Sequence, residues 1–204
     1  MESVPPTFIE SVLCISNLSG LPLFQQLRSV LWSQSATGQL SRRKNWDLGV
    51  VVEEHGGLSV ILHDDDERQD PTVASLEEFA RKDARFHQIT LIWFNHDCDD
   101  LDLLLASDPS QWTNITTPED VKKFCRRILG RINFGALDNL CLRIIDSLGL
   151  HTVILDHLLD NDAMARGLFL AYQGPASMEL LRRHVHKNKL TDLHLYEGWP
   201  LEST

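Results

Sequence analysis

Five consecutive residues, His96-Asp97-Cys98-Asp99-Asp100, offer an imidazole, a thiol and carboxylates, the donor types that suit a divalent cation. A structural zinc site draws paired ligands at two- to four-residue spacing from two places in the chain. No second Cys pair exists here, so a solvated loop is expected. Asp64-Asp65-Asp66-Glu67 could hold calcium, yet it lacks the glycine and terminal glutamate of an EF-hand loop and reads as an acidic turn. His184 and His186 stand two apart on an expected helix, where side chains point to different sides and cannot chelate together. One half-buried and one surface histidine are expected, with His194 able to approach them if the last helix packs on the last strand. The chain carries no GxSxG elbow, no GxxxxGK[ST] and no GxGxxG, and no Cys/His nucleophile context. No catalytic residue, metal or cofactor is therefore expected, and the chain reads as a non-enzyme.

Lys122, Lys123, Arg126, Arg127 and Arg131 lie around one helix whose other side is Val121, Phe124, Cys125, Ile128 and Leu129. That is an ordinary solvated face, with an acidic-partner or RNA patch as the functional alternative. The whole chain opposes the second role, because 19 basic against 29 acidic residues give a net charge of -10, and nucleic-acid binding depends on neutralising phosphates. Cys14, Cys98, Cys125 and Cys141 show no CxxC spacing, the N-terminus lacks a basic leader, and no run reaches 18 apolar residues. Reduced thiols, no membrane span and an intracellular location, in cytoplasm or nucleus, are expected.

The elements that carry these groups follow from periodicity. Apolar residues three and four apart, Phe8, Val12 and Ile15, then Phe24, Leu27 and Leu31, predict two short helices over Phe8–Ile15 and Leu21–Trp32. Trp46 to Val52 alternates and Leu58 to Leu62 is an apolar run, so Gly56-Gly57 joins a β-hairpin. A two-residue turn there would set Ile61, not Val60 or Leu62, beside Val52, which leaves the core face of the second strand open. Ser75-Leu76-Glu77-Glu78 is a capping box for a short helix ending near Asp83.

From Phe86 onward a Leu-x-x-Leu-x-Leu-like strand alternates with an amphipathic helix. The expected strand triads are Phe86/Ile89/Leu91, Leu137/Leu140/Leu142, Leu168/Leu170/Tyr172 and Leu190/Leu193/Leu195. The helices between them start at Thr117-Pro118, near Asp146 and near Pro175. The last two steps, about 29 and 24 residues, fall in the range of leucine-rich repeats. The fold class expected is α/β: an irregular helical and β-hairpin part over 1–85, then a short leucine-rich-repeat-like stack of parallel strands and helices over 86–204, as one cooperative unit. Such a stack presents its strand row as a binding surface, on which Asp138, Asp192 and His194 could read a protein partner while Leu140 and Leu193 hold the core.

Several segments together are similar to a known group. They are Met1-Glu2-Ser3-Val4-Pro5-Pro6-Thr7-Phe8, the Trp32 segment leading through Arg42-Arg43, Leu76-Glu77-Glu78-Phe79 before Arg85-Phe86-His87-Gln88-Ile89, and the ending Leu190-Thr191-Asp192-Leu193-His194-Leu195-Tyr196-Glu197-Gly198-Trp199-Pro200. Over most of its length the chain resembles the nematode lineage-expanded family related to F-box-associated (FTH-like) domain proteins. The resemblance implies a substrate-recognition module for a cullin-type ubiquitin ligase, with Val4, Pro5, Phe8, Phe24 and Leu27 able to meet a Skp1-like adaptor. Val4-Pro5 stands where an F-box has Leu-Pro, and Val30 lies closer to Trp32 than the F-box pattern spaces its Val and Trp. The first helices therefore read as the cap of the stack, with Phe8, Val12, Phe24 and Leu27 covering its open edge; a degenerate F-box is the alternative.

Overall fold

A computed structural model describes residues 4–16, 20–53, 55–64, 72–95, 109–135, 137–144, 146–188, 190–196 and 198–200. The His96–Asp100 cluster and Asp65–Glu67 lie outside the described residues. The fold is mixed α/β, with seven α-helices and an eight-stranded, mostly parallel sheet among the described residues. The strands are β1 (Lys44–Val52), β2 (Leu58–Asp64), β3 (Val73–Ala74), β4 (His87–Asn95), β5 (Thr113–Ile115), β6 (Leu137–Leu142), β7 (Ala165–Leu170) and β8 (Asp192–Leu195). Their spatial order is β3-β2-β1-β4-β6-β7-β8, and β5 also pairs with β2, along a different stretch from β3. β1, β4, β6, β7 and β8 run parallel, whereas β2 is antiparallel to β1.

The hairpin question is resolved by its loop. Glu53 N–H donates to the Gly57 carbonyl, and Gly56 takes φ +85, so the turn is longer than two residues. Val52 then pairs with Leu58 and Val50 with Val60, which sends Val60 and Leu62 to the same side as Trp46, Leu48 and Val50. β1 also pairs in parallel with β4, so strands from both sides of residue 85 share one sheet.

Pairing corrects two of the four strand triads. Along the ladder Ile92 pairs with Leu140, Leu140 with Leu168 and Leu168 with Leu193. The inward triads are thus Ile89/Ile92/Phe94 and Ala165/Leu168/Leu170, not Phe86/Ile89/Leu91 and Leu168/Leu170/Tyr172, while Leu137/Leu140/Leu142 stands. A register irregularity in the β1–β4 ladder after Trp46 moves Leu91 off the core side, and the small side chain of Ala165 adds little to an apolar count.

The core lies on one side of the sheet. It joins these triads to Phe79 of α4 (Leu76–Arg81), Val121, Phe124 and Ile128 of α5 (Pro118–Ile128), Leu150, Ile154, Leu155 and Leu158 of α6 (Leu150–Asp160), and Leu180 of α7 (Pro175–Lys187). Both expected caps form: Ser75 Oγ accepts from Glu78 N–H as the Glu78 carboxylate accepts from Ser75 N–H, and Thr117 Oγ1 accepts from Asp120 N–H. Asp146 supplies the start of α6 from outside the helix, accepting the N–H groups of Leu148, Leu150 and His151 at 2.8–3.0 Å.

The N-terminal helices differ from expectation. α1 (Pro6–Ile15) is as predicted, but α2 stops after Leu21–Gln25 and a separate α3 runs Val30–Arg42. The buried stripe of α3 is Trp32, Ala36 and Gln39, spaced i, i+4, i+7 but with a polar member and a small one, so apolar periodicity underestimates it. Ile9, Leu13, Leu21, Trp32 and Ala36 form a cluster of their own. This unit joins the rest at the N-terminal ends of the parallel strands: Arg43, buried, donates to the Leu13 and Ser16 carbonyls, and Asn133 to that of Cys14. Among the described residues the edge beyond β2 is taken by β3 and β5, not by these helices.

Candidate functional site on the second face of the sheet

The ladder also determines what faces away from the helices. One row crosses β1, β4, β6, β7 and β8 as Asp47, Leu91, Asn139, Gly167 and Asp192, and the next as Gly49, Trp93, Cys141, Phe169 and His194. Two glycines make room in these rows. A Cβ at Gly49 would stand 2.1 Å from Trp93 Cζ2, and one at Gly167 would stand 2.0 Å from Asn139 Oδ1, so each glycine is roofed by the larger neighbour. Trp93 packs with Val51, Ile61, Val73 and Trp112, and Phe169 stacks flat on His194 with ring centroids 4.7 Å apart. Arg143 lies over the Tyr196 ring at 5.0 Å. From β4 to β8 the rows hold half-buried or exposed side chains, apart from Gly167, and no described helix shares their cluster. The rows thus bring aromatic rings, an amide and a carboxylate together on one side of the sheet.

Of the residues expected on this surface, Asp192 and His194 are there and exposed. Asp138 is half-buried at the start of β6 and held by Arg166 at 3.1 Å. Leu193 does not hold the core, since β8 is the outermost strand and Leu193 is 43% exposed; Leu140 does. Sequence reasoning missed Trp93, Asn139 and Phe169. Their signal is the x positions of the Φ-x-x-Φ-x-Φ triads, which become legible only once the triads are correctly placed.

The basic stripe is largely engaged. Lys122 reaches Glu119 at 2.7 Å, Lys123 reaches Asp120 at 3.1 Å, and Arg127 reaches Glu77 of α4 at 3.2 Å. Arg131 donates to the Ala80 and Lys82 carbonyls at the end of α4, and Arg126 to the Lys122 carbonyl of its own helix. Three of the five cations are thus paired with carboxylates, while Arg126 and Arg131 are held by neutral carbonyls.

The expected adaptor residues divide. Phe24 stacks on Trp32 and Val4 packs against the same cluster, whereas Phe8 and Leu27 point outward. With Ile15, Leu23, Val30 and Leu31 they make six large apolar side chains between 42% and 67% exposed over α1–α3. Pro5 precedes α1 as its N-cap residue, and its carbonyl accepts from Phe8 N–H.

The histidines are structural where they are buried. His184 Nε2 accepts the Ala165 N–H at 2.9 Å while Nδ1 meets the Leu180 carbonyl at 2.8 Å, and His186 is exposed. His87 Nδ1 accepts the indole N–H of Trp46 at 3.1 Å. His151 and Asp146 form a buried pair at 2.8 Å. Burial would raise the Asp146 carboxyl, but the imidazole and backbone donors around it hold it below the usual range. Among the described residues no group of three or more His, Cys, Asp or Glu could hold a metal ion.

Burial pushes His87 and His184 below the ordinary imidazole value; Lys82 and Lys44 add to this at His87, whereas the Leu180 carbonyl opposes it at His184. Below about pH 6.5 their native forms therefore bind fewer protons than the unfolded chain. The stability they contribute is complete above that value and is lost as pH falls toward the folded pKa. Thermal melts are expected to shift down between about pH 7 and 5; an unchanged midpoint across that range would contradict these roles. No helix among the described residues is long and apolar enough to cross a membrane. No protein-family model matches the chain, and neither does any curated protein or solved structure.

Proposed function

We propose that this chain is a non-enzymatic protein-interaction module, a short leucine-rich-repeat-like stack that recognises a protein partner with the face of its sheet that no described helix covers. The observation that carries this is the row Trp93, Cys141, Phe169 and His194, in register across four parallel strands whose core helices pack on the other side. The hairpin extends the sheet at its edge instead of folding over this row. A rigid aromatic centre loses little conformational entropy on binding, which is why such residues dominate binding energy.

The exposed apolar side chains of α1–α3 support a second contact, with a Skp1-like adaptor, and thereby substrate recognition of the F-box-associated type inside the cell, in cytoplasm or nucleus. The whole chain acts as one cooperative unit in this reading. Nucleic acid and membrane are not partners, and no cofactor is required.

Tagged capture from native extract with mass spectrometry tests both contacts. Phe169→Asp with His194→Asp is expected to reduce target recovery at least tenfold and leave the adaptor, while Phe8→Glu with Leu27→Glu removes adaptor and cullin and leaves the target. Capture unaffected by either pair would refute the proposal. RNA retained at low salt and lost on charge reversal of Arg126 and Arg127 would favour the basic-helix alternative instead.

A further inference from the structure

β8 is the last strand of the sheet, and the described residues after it do not protect its outer edge. The chain turns at Gly198 (φ +95), and Trp199 settles on Tyr172 and donates to the Leu170 carbonyl, above β7. Leu193 and Leu195 are 43% and 45% exposed, although the residues they pair with, Leu168 and Leu170, are buried. Natural edge strands are blunted by short length, charged side chains, proline or a bulge; β8 is short and starts with Asp192, but its Leu193-His194-Leu195 centre carries no acid, lysine or proline. The flank of α7 shows Met178 and Val185 along a groove of about 700 Å3 that Tyr172, Pro175 and Leu181 also line.

We propose that this edge is occupied by a second copy of the chain, forming a two-fold dimer in which β8 pairs antiparallel with its own equivalent. The strand is palindromic in side-chain type, Leu193-His194-Leu195. Antiparallel pairing centred on His194 sets Leu193 opposite Leu195 of the second copy, twice, on the helix side of the sheet. It sets the two His194 side chains opposite each other on the far side, and Asp192 opposite Tyr196. A slip of one residue would place leucine against histidine and reverse the faces, so one register is selected. The same axis makes the two α7 helices antiparallel. On that flank Glu179 pairs with Arg182 at 2.8 Å, so the surface brought together carries both signs and is charge-compatible with itself. A stable dimer buries about 800 Å2 per partner, more than a four-residue strand offers, so the proposed dimer requires the α7 flank to contribute as well. Identical faces meeting on a two-fold are the commonest form of oligomer. The two uncovered sheet faces then become one continuous surface with the histidines at its middle.

Sedimentation equilibrium on the purified chain tests this. Wild type is expected to be dimeric at micromolar concentration, and Leu193→Glu or Leu195→Lys, each at an already half-exposed position, to weaken association at least tenfold. Mixing the two variants is expected to restore a dimer, because the glutamate introduced in one copy then faces the lysine introduced in the other and the second pair remains leucine on leucine. A folded wild-type monomer at about 100 μM would overturn the proposal, as would a dimer indifferent to both substitutions or variants not rescued by mixing. Should either variant unfold, His194→Cys gives an independent readout: oxidation joins the two introduced thiols in a symmetric cross-link in the proposed register, and its absence from the peptide map counts against it.

Discussion

Replacing His184 by alanine is expected to lower the unfolding free energy by about 3 kcal/mol, with a loss of cooperativity concentrated in the β7–α7 unit. The imidazole is buried between helix and strand, and its two nitrogens close two backbone groups, the Ala165 N–H and the Leu180 carbonyl. Alanine removes a buried ring and strands the Ala165 donor without a partner, so the cavity and desolvation costs act together. Because Ala165 begins the inward triad of β7, its displacement also loosens Phe169 and His194, farther along the same strand pair. Urea unfolding measures the loss. Acid sensitivity should shrink in the same variant, since one of the two suppressed histidines is gone; a variant as stable and as acid-sensitive as wild type would refute the assignment.

The second large effect is expected at Gly49. Its Cβ would lie within 2.7 Å of three indole carbons of Trp93, far inside van der Waals contact, and neither backbone strand can yield without breaking the β1–β4 ladder. Gly49→Ala must therefore drive the indole off Val51 and Ile61, at about 2–3 kcal/mol. Gly130, whose added Cβ would meet nothing within 4 Å, is the internal control, and Gly130→Ala should stay within about 0.5 kcal/mol of wild type. Tryptophan fluorescence reports the displacement of Trp93, and partner capture should fall with it. An unchanged emission spectrum with unchanged stability would show that Trp93 is not seated over Gly49.

These two residues also mark the limits of what the chain's letters carry. The capping box and N-cap, the parallel strand–helix alternation and the Leu137/Leu140/Leu142 triad were legible in the sequence, because each depends on neighbours within about one turn or one strand. Helix α3 was not, since its buried stripe includes Gln39, whose amide donates to Cys14 Sγ of α1, a partner that exists only after folding. The basic stripe was legible as a helix face, but its neutralisation by Glu77 depends on α4 lying against α5.

The sequence by itself determined the class of the fold and the absence of any recognisable reaction motif, since hydrophobic period and turn chemistry are local properties. Tertiary structure alone decided which face the described helices leave open and which residues line it. A strand shows both faces in its sequence, and a register irregularity such as the one after Trp46, a five-residue hairpin turn or an outermost position such as that of β8 reassigns them. Apart from the hairpin, those choices are made by pairing between residues tens of positions apart, where the loss of chain entropy on closure is balanced against burial of a whole face.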